Sequence, residues 1–264
     1  MAPRRSTLAP VLWIPAGLAL ALLLLPLVAL IVRAPWAQLP ALLSEPTVAR
    51  ALGLSLVTAL CATLICLVLG VPLALVLARS AAWPAVPRRL LRALVTVPLV
   101  LPPVVGGVAL LLLLGRRGLI GQFLPFGIPF TSAAVVIAQV FVSMPFLVIA
   151  VEGALRASDR RFEVAAATLG ASRAHVFWRV TLPLVAPGIA SGALLCFTRS
   201  LGEFGATITF AGSFPGTTQT LPISTYLLLQ TDPNAAIALS LVLMVVSVVV
   251  LVSLRDRWVP GVVS

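Results

Sequence analysis

The sequence predicts an all-α polytopic membrane protein of six transmembrane helices, with the N- and C-termini cytoplasmic. Three observations lead there. Of the 264 residues, 61% are hydrophobic and only 9% are charged, against about 45–50% and about 25% in an ordinary soluble domain. Six apolar runs come close to the roughly 20 residues with which a helix crosses about 30 Å of hydrocarbon. Thirteen of the 18 Arg fall on one side of the alternation of runs, and there is no Lys at all.

The first run, about 11–32, follows Arg4 and Arg5 as a secretory leader would. Its 22-residue apolar stretch exceeds the roughly 7–15 of a leader's apolar region, so it reads as a retained anchor. The second covers about 51–78. The third, about 93–114, carries Pro98, Pro102, Pro103, Gly106 and Gly107. It is expected to start irregularly, which a membrane tolerates where neighbouring helices satisfy the freed backbone groups. The fourth covers about 133–151 and the fifth about 184–208, the latter with Gly188 and Gly192 at the GxxxG spacing of close helix packing. The sixth covers about 235–254. The longest segments outside these runs, 152–183 and 211–234, are shorter than the roughly 40 residues that hold together unaided. The chain 1–264 therefore reads as a single transmembrane domain. Within the second segment, 221–230 is too short to cross and is expected as an interfacial or re-entrant helix.

Orientation follows from the retention of positive charge in cytoplasmic loops. With the N-terminus inside, thirteen of the 18 Arg fall on the cytoplasmic side. Arg33, Arg50, Arg116 and Arg117 fall outside, and Arg199 lies within a span.

The same composition excludes several functions. Without Lys the chain has no P-loop, Schiff-base Lys or Ser-Lys pair, and with His175 alone it has no two-His metal site. The net charge of +11 could suggest nucleic acid, but the Arg residues are scattered between apolar runs, without a basic stripe. Membrane lipid is the expected surrounding and nucleic acid is not an expected partner. Cys61, Cys66 and Cys196 all fall within spans and are expected as buried small hydrophobes.

The cytoplasmic segment 152–183 looks built for docking. Ser158 or Asp159 is a good N-cap, Phe162, Ala166 and Leu169 recur at helical spacing, and Gly170 suits a left-handed C′ position. A second short helix, 172–180, is expected to stop at Leu182-Pro183. The small side chains of Ala165, Ala166 and Ala167 allow another backbone to approach. An amphipathic surface helix that merely fills space is the plainer reading of this stretch taken by itself.

The spacing Ala165-Ala166, three residues, Gly170, nine residues, Val180, one residue, Leu182-Pro183 resembles the EAA loop of permease subunits of bacterial ATP-binding-cassette importers. The motif's opening Glu would fall at Val164, with Glu163 one residue earlier. The stretches 98–122 and 197–231 are similar to the corresponding regions of molybdate permease subunits, with sulfate permeases the nearest competitor. The resemblance implies a type I importer permease fold in the bacterial inner membrane and assigns ATPase coupling to Glu163, Ala165, Ala166, Gly170, Leu182 and Pro183. It also implies the partners: a cytosolic ATPase subunit on this loop, a periplasmic or extracellular oxyanion-binding protein outside, and a second copy of the chain. The chain itself is expected to hold no cofactor and catalyse no reaction, ATP and magnesium being bound by the partner ATPase.

Arg199 and Glu203 are the charged residues placed well inside a span, four apart and so on one helical face. Each costs about 2.5–3.5 kcal/mol in hydrocarbon, which turns them toward the bundle interior or a water-filled path. One reading makes the pair a structural tie between helices. The other makes it the gate or lining of an anion pathway, together with Ser200, Gly202, Gly205, Thr207 and Thr209. The expected function is import of a tetrahedral oxyanion, molybdate first, with sulfate, thiosulfate or tungstate as alternatives. A stand-alone ion-coupled transporter would have no need of the loop at 158–183. A membrane-embedded enzyme lacks a visible nucleophile with its base.

Overall fold

A computed structural model describes residues 12–258, with side chains through 250 and at 252. Arg4 and Arg5 and the side chains of Arg255 and Arg257, which entered the orientation argument, lie outside this set. The described residues are helical, without strands. In order they are α1 (Trp13–Val32), α2 (Leu39–Leu43), α3 (Pro46–Arg79), α4 (Ala85–Val100), α5 (Pro103–Leu114), α6 (Ser132–Ala157), α7 (Arg161–Thr168), α8 (Arg173–Val176), α9 (Leu182–Leu201), α10 (Gly205–Ala211), α11 (Leu221–Thr231) and α12 (Pro233–Trp258).

Helices α3, α6 and α9 form the centre. Cys66, Leu77, Leu147, Val148, Val151 and Cys196 are buried between them. A second cluster joins Leu110 of α5, Val135, Ala138 and Val142 of α6, and Phe210 of α10. A third joins Val48 of α3, Leu221 of α11 and Leu239 of α12. The Gly188 and Gly192 spacing does pack closely: a Cβ at Gly192 would lie 3.1 Å from the Ala150 Cβ, and one at Gly188 would collide with the Ala154 Cβ. α1 buries none of its residues, and Cys61, expected inside, is exposed on α3 while Cys66 and Cys196 are buried.

Four boundaries differ from the sequence expectation, each for a local reason. The third run is two helices bent by 114°. Leu101 precedes a proline and so does Pro102, and a residue before proline is pushed out of the helical region; both are extended, with ψ of 134° and 133°. The fifth run is likewise interrupted, between α9 and α10, over Gly202, Glu203 and Phe204. α6 runs on to Ala157, so Glu152 sits in a helix and not in a loop. The short helix expected to stop at Leu182-Pro183 instead continues through a π-helical turn, Phe177–Thr181, into α9. Proline lacks an N–H for the ordinary register, and the wider turn preceding it lets the helix pass without a break. The short helix expected at 221–230 is present as α11.

Candidate functional site

The two interruptions lie side by side. A Cβ on Gly205 would come within 2.9 Å of the Pro103 Cβ, and one on Gly107 within 2.7 Å of the Thr209 Cβ and 2.8 Å of the Ala206 carbonyl oxygen. α5 and α10 thus pack nearly backbone to backbone, which requires glycine on both faces. Ser200, at the end of α9, donates a hydrogen bond of 2.8 Å to Ser143, near the middle of α6. That places the α9–α10 junction about halfway along the bundle. Irregular backbone at that depth is found where protein buries it or where it lines a cavity.

Glu203 occupies the junction and uses both carboxylate oxygens. Oε2 pairs with Arg199 Nη1 at 2.6 Å, and Oε1 accepts from the Ala206 N–H at 2.8 Å, satisfying a donor of the first turn of α10. One side chain therefore ties the last turn of α9 to the start of α10 across the gap. Glu203 is 1% exposed, whereas Arg199 keeps 28% of its side chain accessible. With five N–H donors on a guanidinium, Arg199 retains donors for an anion while its charge is offset. Phe204, also in the gap, rests on Tyr226 of α11 with ring centroids 4.9 Å apart.

The structure separates the other residues of the expected pathway set. Ser200 and Thr207 are fully buried, and Thr207 Oγ1 has no hydrogen-bond partner among the described residues. Thr209 donates to the Gly205 carbonyl at 2.8 Å and its Cβ faces α5. Gly202 is exposed and Gly205 buried. Of the seven residues, Arg199, Gly202 and Thr209 keep accessible surface, Thr209 on the side that faces α5.

The loop between α6 and α9 has the expected shape. Neither Ser158 nor Asp159 is the N-cap of α7: that position is Arg160, without a side-chain cap, and Asp159 lies one residue earlier, where its carboxylate accepts from the Arg161 N–H at 2.9 Å and turns the chain into the helix. Gly170 has φ of +84°, and the Gly170 and Ala171 N–H groups return to the Ala167 and Ala166 carbonyls at 3.0 and 3.1 Å, a Schellman arrangement that closes the helix. Ser172 caps α8. Ala165 and Pro183 are exposed, Ala166 and Leu182 half-buried, and Leu169 is 88% exposed. Glu163 accepts a 2.6 Å hydrogen bond from Thr181 in the π turn, joining α7 to the foot of α9.

Two polar contacts around this loop escaped the sequence reading. Thr181 gives no signal, because its partner is 18 residues away and off any helical period. Glu152 is the second: 7% exposed, it pairs with Arg92 of α4 and, at 2.9 Å, with Arg156 one turn on. The Glu152–Arg156 spacing was the available signal.

The comparisons with known proteins fit this geometry. Residues 70–260 match the family described as binding-protein-dependent transport system inner membrane component. The chain is 52% identical over 248 residues, covering 93% of both chains, to the molybdenum transport system permease protein ModB of Mycobacterium tuberculosis. It is 45% identical over 175 residues to the same-named protein of Escherichia coli K12, covering 65% of this chain and 76% of that one. It is 36% identical over 241 residues to the sulfate transport system permease protein CysT of Salmonella typhimurium, covering 89% and 86%. The fold matches a chain of the MetNI methionine ABC transporter in an inward-facing conformation, with TM-score 0.66, 17% identity and coverage of 81% and 97%. It also matches a chain of a bacterial ABC transporter that imports alginate, with TM-score 0.67, 17% identity and coverage of 93% and 94%. The overall helical fold is thus shared with these neighbours, and the chain belongs to the family of binding-protein-dependent transport system inner membrane components.

Proposed function

We propose that the chain is the transmembrane permease subunit of an ATP-binding-cassette importer for molybdate. The observation that carries the substrate is the 52% identity to a molybdenum permease across 93% of both chains. Two copies line one pathway, and a cytosolic ATPase subunit docks on each α7–α8 loop through Ala165, Ala166 and Gly170. A binding protein delivers the oxyanion from the opposite side. Both termini are cytoplasmic in this reading, which the Arg distribution supports. ATP and magnesium belong to the ATPase, since the chain has no Lys for a P-loop.

The geometry supports a simple transmission. Closure of the ATPases displaces α7, and the Thr181–Glu163 hydrogen bond carries that displacement to the foot of α9. Its far end is the gap held by Glu203. Arg199, accessible there, attracts the dianion, and the Glu203 carboxylate keeps that attraction weak enough for release. Gly202 puts no side chain beside Arg199, while the buried Ser200, Gly205 and Thr207 and the α5-facing Thr209 pack behind the gap.

Sulfate is the second reading, supported by the 36% identity to a sulfate permease over 89% of this chain. One experiment tests both. In the reconstituted complex, binding protein loaded with molybdate is expected to stimulate ATPase activity and binding protein loaded with sulfate to leave it at the basal rate. The reverse pattern makes the chain a sulfate permease. Substrate flux through the chain without any ATPase would refute the importer reading altogether.

A further inference from the structure

The foot of α3 and the α7–α8 loop enclose two adjoining clefts. The larger, about 410 Å³, is lined by Arg79, Arg160 and Arg173, with Glu163, Val164 and Phe177 among its walls. The smaller, about 190 Å³, shares Arg79, Arg160 and Glu163 and extends to Leu75 and Ala78, a turn further into the span. Arg79, Arg160 and Arg173 form no ion pair among the described residues. Arg156 also lines the smaller cleft but is paired with Glu152, and Glu163 is engaged by Thr181, so three unpaired cations face these clefts against one carboxylate that is already hydrogen-bonded.

Unpaired Arg side chains lining one cleft, with donors to spare, call for a phosphate-type anion. The position of the clefts selects its source. Arg79 is the last residue of a long apolar helix. Val76, one turn above it, and Trp83, just past it, are 42% and 45% exposed, which is where an aromatic side chain meets the membrane interface. The smaller cleft climbs along Leu75 and Ala78 to the level of the hydrocarbon, so a ligand bound at the Arg residues has an apolar exit for its chains. A protein partner approaching from the aqueous side has no use for that exit. Basic pockets between spans at this level suit anionic lipid headgroups.

We propose that Arg79, Arg160 and Arg173 form a binding site for the phosphodiester headgroup of an anionic phospholipid, wedged between the foot of α3 and the coupling loop. The lipid bridges a membrane-embedded helix to the α7–α8 loop, so bilayer composition tunes how firmly the loop is held. The site follows from the fold and the charges; the proposed orientation decides only which leaflet supplies the lipid.

The test is lipid retention, which does not depend on transport. The full chain is incorporated into phosphatidylcholine nanodiscs containing a minor share of cardiolipin, and the bound lipid is counted by native mass spectrometry after release. Cardiolipin is expected to be retained over phosphatidylcholine, with retention falling about fivefold per Arg removed and about 25-fold in R79Q/R160Q. R50Q, at the other end of α3, should retain it as the parent does. Unchanged retention in R79Q/R160Q overturns the proposal. So does displacement of the lipid by millimolar inorganic phosphate, which would mark a site for a free small anion. Loss of the lipid on adding the ATPase subunit also overturns it, since the three Arg would then be that subunit's contacts. Size exclusion and melting of the double variant beside R50Q separate loss of a site from loss of the fold.

Discussion

Arg92 of α4 and Glu152 of α6 are joined across the two helices, and Arg156 adds a second contact to the same carboxylate at 2.9 Å. Glu152 is 7% exposed, so its charge depends on these partners. Removing one member of a fully buried pair costs about 3–5 kcal/mol. Here the Arg side chains are 47% and 48% exposed, which lowers the expectation to about 1–2 kcal/mol. E152Q and R92Q should each lower the melting temperature of the detergent-solubilised chain, and the swap R92E/E152R should recover part of the loss. Equal destabilisation of the swap and of both single variants together would show that the contact is incidental.

The α5–α10 packing makes a sharper steric prediction. A Cβ on Gly107 meets the backbone of Ala206, with its oxygen at 2.8 Å and its Cα at 3.1 Å. Backbone cannot swing aside as a side chain does. G107A should therefore cost about 1–3 kcal/mol, as overpacking does in closely packed cores, and G107V more. Gly153 on α6 has nothing within 4 Å of its Cβ position, and G153A should be neutral or stabilising by up to about 1 kcal/mol. Melting of the two variants side by side checks this. Equal effects would mean that α5 and α10 are not in close contact.

This contrast also marks what the sequence makes legible. Six hydrophobic runs, the Gly170 turn and the Arg199–Glu203 pair are read directly, because each rests on a period or a residue type along one stretch of chain. The bend at Leu101 and Pro102 was foreshadowed by the prolines, but its 114° depends on α5 finding α10. The continuity through Pro183 was missed because a π turn changes the register without leaving a compositional mark. Thr181 and Arg92 were invisible as partners because their carboxylates are 18 and 60 residues away, and only the fold brings them together.

The Glu163–Thr181 hydrogen bond predicts a defect in coupling. A hydrogen bond to a charged group contributes about 1.5–3 kcal/mol, and T181V removes the donor at nearly constant volume. In the reconstituted importer, T181V and E163Q should keep ATP hydrolysis while transporting less substrate per ATP. G170A places a Cβ at φ of +84° at a cost of about 1 kcal/mol and should weaken ATPase binding in a pull-down. Transport per ATP at the parent's level in both T181V and E163Q would show that α7 moves α9 by another route.

The gap residue Glu203 separates its two jobs by substitution. E203Q keeps an oxygen that can accept from the Ala206 N–H but loses the charge facing Arg199; E203A loses both. If the carboxylate serves only to hold α10, E203Q should melt and transport nearly as the parent does, and E203A alone should fail. If it also moderates Arg199, E203Q leaves an uncompensated guanidinium 28% exposed at the junction. The dianion should then bind more tightly and leave more slowly. The expected result is the second: E203Q assembles but transports at least about tenfold more slowly, which corresponds to about 1.4 kcal/mol on release. R199Q, without the attraction, should raise the substrate concentration needed for half-maximal uptake. Uptake assays on assembled complexes, with the assembled fraction checked by size exclusion, distinguish these outcomes.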